Sequence, residues 1–180
     1  GQGWTMTGAT FSNSGTLRLK GNETITGLTQ DTDSGTWEYV GDADGLADTY
    51  TIIDWGSTDY YHLTINGTDS NDIFQLGAAL VVGANQTVSG GTFSLASYNW
   101  TMGGTFSNTA TVQLIGAETI TGVTQDTDSG TWKYVGDGDS IADTYTIKDF
   151  GATDYYHLTI AGTDSTDIFQ LGGALVNASG

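Results

Sequence analysis

The 180-residue chain carries 21 acidic residues against four basic ones, a formal net charge of −17. This shortage of Lys and Arg excludes nucleic acid and anionic lipid as partners, since binding either needs cations on the protein. It has no Cys, which rules out a disulfide scaffold or zinc–thiolate centre, and no apolar run of about 18 residues, so no membrane insertion by a helix is expected.

The strand pattern is written twice. Residues 11–85 recur as residues 106–180 with 54 of the 75 aligned positions identical, so the differences mark which side chains tolerate change. In chain order, Thr16-Leu17-Arg18-Leu19-Lys20 alternates with the period of a half-buried strand and puts Leu17 and Leu19 inside. In the second copy Leu17 becomes Val112 and Leu19 stays Leu114, while Arg18 becomes Gln113 and Lys20 becomes Ile115. By the same logic the changes Glu38 to Lys133 and Ile53 to Lys148 mark solvated positions, which turns Trp37, Tyr39, Tyr50 and Ile52 inward. Tyr61-His62-Leu63-Thr64-Ile65 then buries Tyr61, Leu63 and Ile65, and Phe74 and Leu76 follow as core residues. Related stretches open with TFS at Thr10, Thr92 and Thr105; the last two start 13 residues apart. Two such pieces predict a coil of about 25 residues and roughly four coils in each 95-residue unit.

These patterns predict an all-β fold, a β-solenoid continuous over residues 1–180, with internal repeats at 4–99 and 100–180. The second copy stops at Gly180 without a counterpart of QTVSGGTFSLASYNWTM, so the chain is expected to be an excerpt of a longer array. Two tandem immunoglobulin-like β-sandwiches are the alternative, because about 100 residues suits that domain and Asn66-Gly67 fits a hairpin turn. Against them, Asn66-Gly67 is Ala161-Gly162 in the second copy, and no Pro or linker-like stretch separates the copies.

Acidic loops are the places where chemistry can reside. Asp42-Ala-Asp44-Gly45-Leu-Ala-Asp48 recurs as Asp137-Gly-Asp139-Ser-Ile-Ala-Asp143, and Asp31-Thr-Asp33-Ser-Gly35 as Asp126-Thr-Asp128-Ser-Gly130. Carboxylates two residues apart in a turn can converge on Ca²⁺, a hard cation that takes six to eight oxygens. Ca²⁺ is therefore the expected metal, with Asp42, Asp44, Asp48, Asp137, Asp139 and Asp143 as ligands and Asp31, Asp33, Asp126 and Asp128 as a weaker set. The Asp42 loop resembles part of the DxDGxxD pattern of thrombospondin type 3 calcium repeats and departs from an EF-hand. The competing reading is that these Asp side chains bond to their own turns. The cluster Thr68-Asp69-Ser70-Asn71-Asp72 is read as a plain polar corner.

No enzyme is expected. His62 and His157 are single outward histidines, no Ser or Cys sits in a nucleophile elbow, and the one Arg, Arg18, is Gln113 in the second copy. Tyr60, Tyr155 and Trp55 are candidate exposed rings for stacking on glycans.

The strings TDYYHLTINGT, FQLGAALVVG, GGTFSLASYNWTMGGTFSN and ETITGLTQDTDSGTWEY resemble the Gly/Thr-rich repeats of large bacterial surface proteins of the filamentous-haemagglutinin or autotransporter-adhesin type. That resemblance implies a right-handed parallel β-helix at the cell surface or outside the cell, serving as a stalk, fibre or adhesin shaft. Its partners would be neighbouring repeats or copies of itself end to end. A self-assembling extracellular filament subunit and a carbohydrate-binding or carbohydrate-degrading β-helix module are the alternative functions.

Overall fold

A computed structural model describes residues 2–7 and 10–177. It is an all-β solenoid of about eight turns. The strands in chain order are β1 (Trp4–Thr5), β2 (Thr16–Leu19), β3 (Ile25–Thr26), β4 (Thr36–Tyr39), β5 (Thr49–Ile52), β6 (His62–Asn66), β7 (Ile73–Leu76), β8 (Leu80–Val82) and β9 (Gln86–Gly90). They continue as β10 (Thr92–Ser94), β11 (Trp100–Met102), β12 (Phe106–Asn108), β13 (Thr111–Leu114), β14 (Ile120–Thr121), β15 (Thr131–Tyr134), β16 (Thr144–Ile147), β17 (His157–Ile160) and β18 (Ile168–Leu171).

Every ladder joining these strands is parallel. Parallel neighbours cannot be joined by a tight hairpin, so the chain makes a full circuit before it pairs with itself. The immunoglobulin alternative falls on this point, and Asn66-Gly67 ends a strand instead of closing a hairpin. Three faces result: β2-β4-β6-β9-β12, β5-β7-β10-β13-β15-β17 and β8-β11-β14, with β1-β3 and β16-β18 as shorter pairs.

The two copies do not occupy the same faces. Strands β2, β4 and β6 belong to the first sheet, yet their repeats β13, β15 and β17 belong to the second. From β2 the chain returns to the first face at β4, β6, β9 and β12, then crosses to the second at β13. One unit is thus four coils and one extra face, thirteen faces in all, and each copy is turned by a third of a revolution relative to the last. Only a core in which all three walls are chemically alike tolerates such a shift.

That core is a stack of rings. Trp37, Trp100, Trp132, Tyr39, Tyr60, Tyr134, Tyr155, Phe74 and Phe93 are fully buried, together with Leu63, Ile65 and Leu95. Trp37 meets Phe11 at 5.8 Å and Trp55 at 5.3 Å between ring centres, and Trp132 meets Phe106 at 6.0 Å and Phe150 at 5.0 Å. Each large apolar side chain taken from water contributes about 1.5–3 kcal/mol, which makes this ladder the main source of stability.

Alternation identifies Leu19, Trp37, Tyr39, Tyr50, Ile52, Leu63, Ile65, Phe74 and Leu76 correctly as buried. Other positions differ, among them Leu17, expected inside, and Ile53, expected in solvent, which are both half-buried against the core. Tyr61 is only half-buried, because the chain bends before β6 and the preceding residue, Tyr60, enters the core. Glu38 faces outward from the core but is only 6% exposed, covered by Arg18 Nε at 2.6 Å and Asn66 Nδ2 at 2.8 Å. Burial works against the Glu38 charge, but Asn66 and Arg18 outweigh it and hold the carboxyl below its ordinary range. All three partners change together in the second copy, to Gln113, Lys133 and Ala161, so the change at residue 38 reflects an exchanged cluster and not a free surface.

The coil length also differs from about 25 residues. Paired strands on the first face are separated by 20 (Thr16 to Thr36), 26 (Thr36 to His62), 23 (Leu63 to Gln86) and 20 residues (Gln86 to Phe106). The corner between the first and second faces accounts for part of the spread. It takes one residue, Gly91, between β9 and β10, and two residues, 109–110, between β12 and β13. Between β4 and β5 it takes residues 40–48, and between β6 and β7 residues 67–72. These two longer excursions lie on consecutive coils at one corner, and both are acidic.

Candidate metal centre

Residues 40–48 leave β4 at the end of an apolar strand and must fold into a compact bulge before β5. Besides Gly41 (φ 72°) and its equivalent Gly136 (φ 69°), two positions take a left-handed backbone: Ala43 (φ 61°) and Gly45 (φ 80°) in the first copy, Gly138 (φ 69°) and Ser140 (φ 68°) in the second. The glycine has moved from one of these positions to the other, so losing Gly45 leaves the loop's path intact. Asp44 Oδ1 accepts the Leu46 N–H at 2.8 Å and Asp139 Oδ1 that of Ile141 at 2.7 Å, which tightens each tip. Part of the turn-capping reading is therefore correct.

The three carboxylates of each loop also converge. Carboxylate oxygens of Asp42, Asp44 and Asp48 lie within 4.8 Å of one another, and those of Asp137, Asp139 and Asp143 do the same. Burial, and then the charges of Asp44, Asp42 and Asp69, push the Asp48 carboxyl above the usual aspartate range. Asp143 is displaced upward likewise, first by burial and then by Asp137 and Asp139. The one ion pair among the described residues, Arg18 with Glu38, lies elsewhere, so no cationic side chain pairs with either group. Three carboxylates at this spacing form a site that can hold a metal ion.

The weaker set is arranged differently. Asp31 Oδ2 accepts the Asn13 N–H at 2.9 Å and the Ser34 hydroxyl at 3.0 Å, and Asp31 Oδ1 accepts the Asp33 N–H. These bonds, that from Asn13 first, hold its carboxyl well below the usual range. Asp126 accepts Asn108 N–H at 2.7 Å and Asp128 N–H at 3.3 Å. Asp31 and Asp126 thus fasten one coil to the next, while Asp33 and Asp128 bond within their own loops, and each loop holds two carboxylates instead of three.

Asp69 and Asp72 are more than a polar corner. Asp69 Oδ2 accepts the Gly45 N–H at 3.1 Å and Asp72 Oδ1 the Asp48 N–H at 3.2 Å, so both reach back to the acidic loop of the preceding coil. Asp143 N–H donates to Asp167 in the same way. Sequence spacing hides this, because the residues are 24 apart and meet only when the coil closes.

Two buried carboxylates also escaped the sequence. Asp59 accepts the Trp55 and Val81 N–H groups, both at 2.8 Å, and Asp154 accepts those of Phe150 and Val176, both at 2.6 Å. Each joins its own turn to the following coil. Tyr60 and Tyr155 are fully buried and cannot stack on glycans; Trp55 is half-buried against Trp37. His62 is likewise engaged, its Nδ1 accepting the Asn85 N–H at 3.1 Å.

Comparison of the chain with protein-family models, curated proteins and solved structures gave no match.

Proposed function

We propose that the chain is a structural segment of an extracellular surface protein, a stalk, fibre or adhesin shaft, whose acidic corners hold Ca²⁺. The observation that carries this reading is the six-stranded parallel sheet β5-β7-β10-β13-β15-β17, which runs without a break from one copy of the unit into the next. In such a stack each coil contacts only its neighbours, so length follows unit number and the cross-section stays constant. The resemblance to haemagglutinin-type repeats supports a place outside the cell, and Ca²⁺ suits clustered carboxylates that no basic side chain neutralises. Small-angle scattering from chains of two, four and six units tests the shaft. Thirteen faces are about 4.3 coils, so at a strand spacing of ~4.8 Å each unit should add about 21 Å at constant thickness. Growth in thickness, or selective binding on a glycan array, would move the reading to a binding module.

A filament subunit is a second reading, in which copies join end to end through the unpaired strand edges that any terminal coil of a parallel solenoid presents. Light scattering that rises steeply with concentration would favour this reading over a monomeric shaft.

A further inference from the structure

We infer that each acidic corner is a clamp between two coils, with Asp72 and Asp167 supplying the carboxylate oxygen through which a bound divalent cation ties one coil to the next. The inference rests on the metal reading of the Asp42 and Asp137 loops and adds ligands that come from a different turn of the solenoid.

Three observations support it. The corner between the first and second faces takes one or two residues at β9–β10 and β12–β13 and five at β2–β3, and residues 40–48 and 67–72, on consecutive coils, are its longest crossings. Their excess length places Asp42, Asp44 and Asp48 on one coil beside Asp69 and Asp72 on the next. Secondly, Asp72 is fully buried, and while its Oδ1 accepts the Asp48 N–H, its Oδ2 has no hydrogen-bond partner. That oxygen lies against Gly41, next to Asp42; a Cβ on Gly41 would overlap it, which explains a glycine there with φ 72°. A buried carboxylate oxygen left unpaired is costly unless a cation completes it. Thirdly, the second copy repeats the arrangement a third of a turn round the axis. Asp167 Oδ1 takes the Asp143 N–H, and Asp167 Oδ2 lies unpartnered against Gly136.

The clamp is tested with Ca²⁺ alone, by calorimetric titration of the chain freed of metal with EDTA. The expected stoichiometry is two per chain. Asp72→Asn keeps the shape of the side chain and should leave one site, with the other weakened at least tenfold, and the pair D72N and D167N should leave none. Melting in EDTA controls for folding: D72N should melt no lower than the parent, because it removes a buried unpaired charge. As an independent readout, Ca²⁺ should slow hydrogen exchange at the Asp48 and Ile73 amides, one from each coil. Full-affinity binding of two ions by D72N/D167N would overturn the clamp while leaving metal binding by the Asp42 and Asp137 loops intact. Absence of binding to the parent chain would overturn both.

Discussion

Replacing Tyr60 by Phe tests the interior more sharply than any surface change. The Tyr60 hydroxyl donates to the Ile53 carbonyl at 2.7 Å, the Ile53 N–H donates to the Tyr39 oxygen at 3.1 Å, and the two hydroxyls lie 2.9 Å apart. Since the single Tyr60 proton is committed to Ile53, Tyr39 must donate to Tyr60, which closes a ring of three bonds around one residue. Lys148, Tyr134 and Tyr155 repeat it, with bonds of 3.0, 2.8 and 2.6 Å. Tyr60→Phe leaves the Ile53 carbonyl and the Tyr39 proton unpaired; at about 1.5 kcal/mol for each buried orphan the loss is ~3 kcal/mol. For a chain of this size that is a fall in Tm of roughly 6–12 °C. The double variant Y39F/Y60F removes the orphaned hydroxyl but orphans the Ile53 N–H, so it should cost about as much as Y60F alone. Urea unfolding of the parent, both single variants and the double variant, followed by tryptophan fluorescence, gives the cycle. Losses that simply add would refute the closed ring, and a Y60F loss below about 1 kcal/mol would refute the burial argument beneath it.

Further outcomes follow from the same geometry. Asp59→Asn sets an amide N–H₂ against one of two buried backbone donors and should cost about 1–3 kcal/mol by urea unfolding, with Asp154→Asn acting likewise in the second copy. Gly27 has φ 70° and its Cβ position falls on the Met6 carbonyl oxygen of the preceding coil, so Gly27→Ala should lower the melting temperature measurably, and an unchanged melt would contradict that close approach. Burial pushes the Tyr39 hydroxyl up to about 12 and displaces Tyr60, Tyr134 and Tyr155 upward too. Because a folded-state value raised above the unfolded one gives stability that is whole below about 10 and lost as pH climbs through the folded value, these four tyrosines should ionise only with unfolding, as read by ultraviolet titration against circular dichroism.

The sequence carries the fold because strand alternation and duplication are local signals. A period of two marks Trp37, Tyr39, Tyr50 and Ile52 as inward without any knowledge of what they face, and the second copy checks them. What it cannot carry is closure. Tyr60 and Tyr61 are adjacent tyrosines, and only the bend before β6 decides which of them enters the core. Glu38 reads as a solvated position until Arg18 and Asn66 arrive from neighbouring coils to cover it. The acidic site is half legible in the same way. Asp42, Asp44 and Asp48 share one loop and announce themselves by spacing, whereas Asp69 and Asp72 join them only because the intervening residues make one turn. The thirteen-face unit is hidden for a related reason, since its length in residues says nothing of how many are spent at corners.

A mechanical role is decided most directly by how the chain bears tension. Pulled by its ends in a single-molecule force measurement, a shaft whose coils are clamped by Ca²⁺ should resist and rupture in discrete steps, each full unit releasing about 300 Å of extended chain at ~3.3–3.6 Å per residue. EGTA should lower the rupture force without changing the step length. Extension without force peaks in both conditions would contradict a mechanical role, and identical forces with and without EGTA would contradict the part given to the cation.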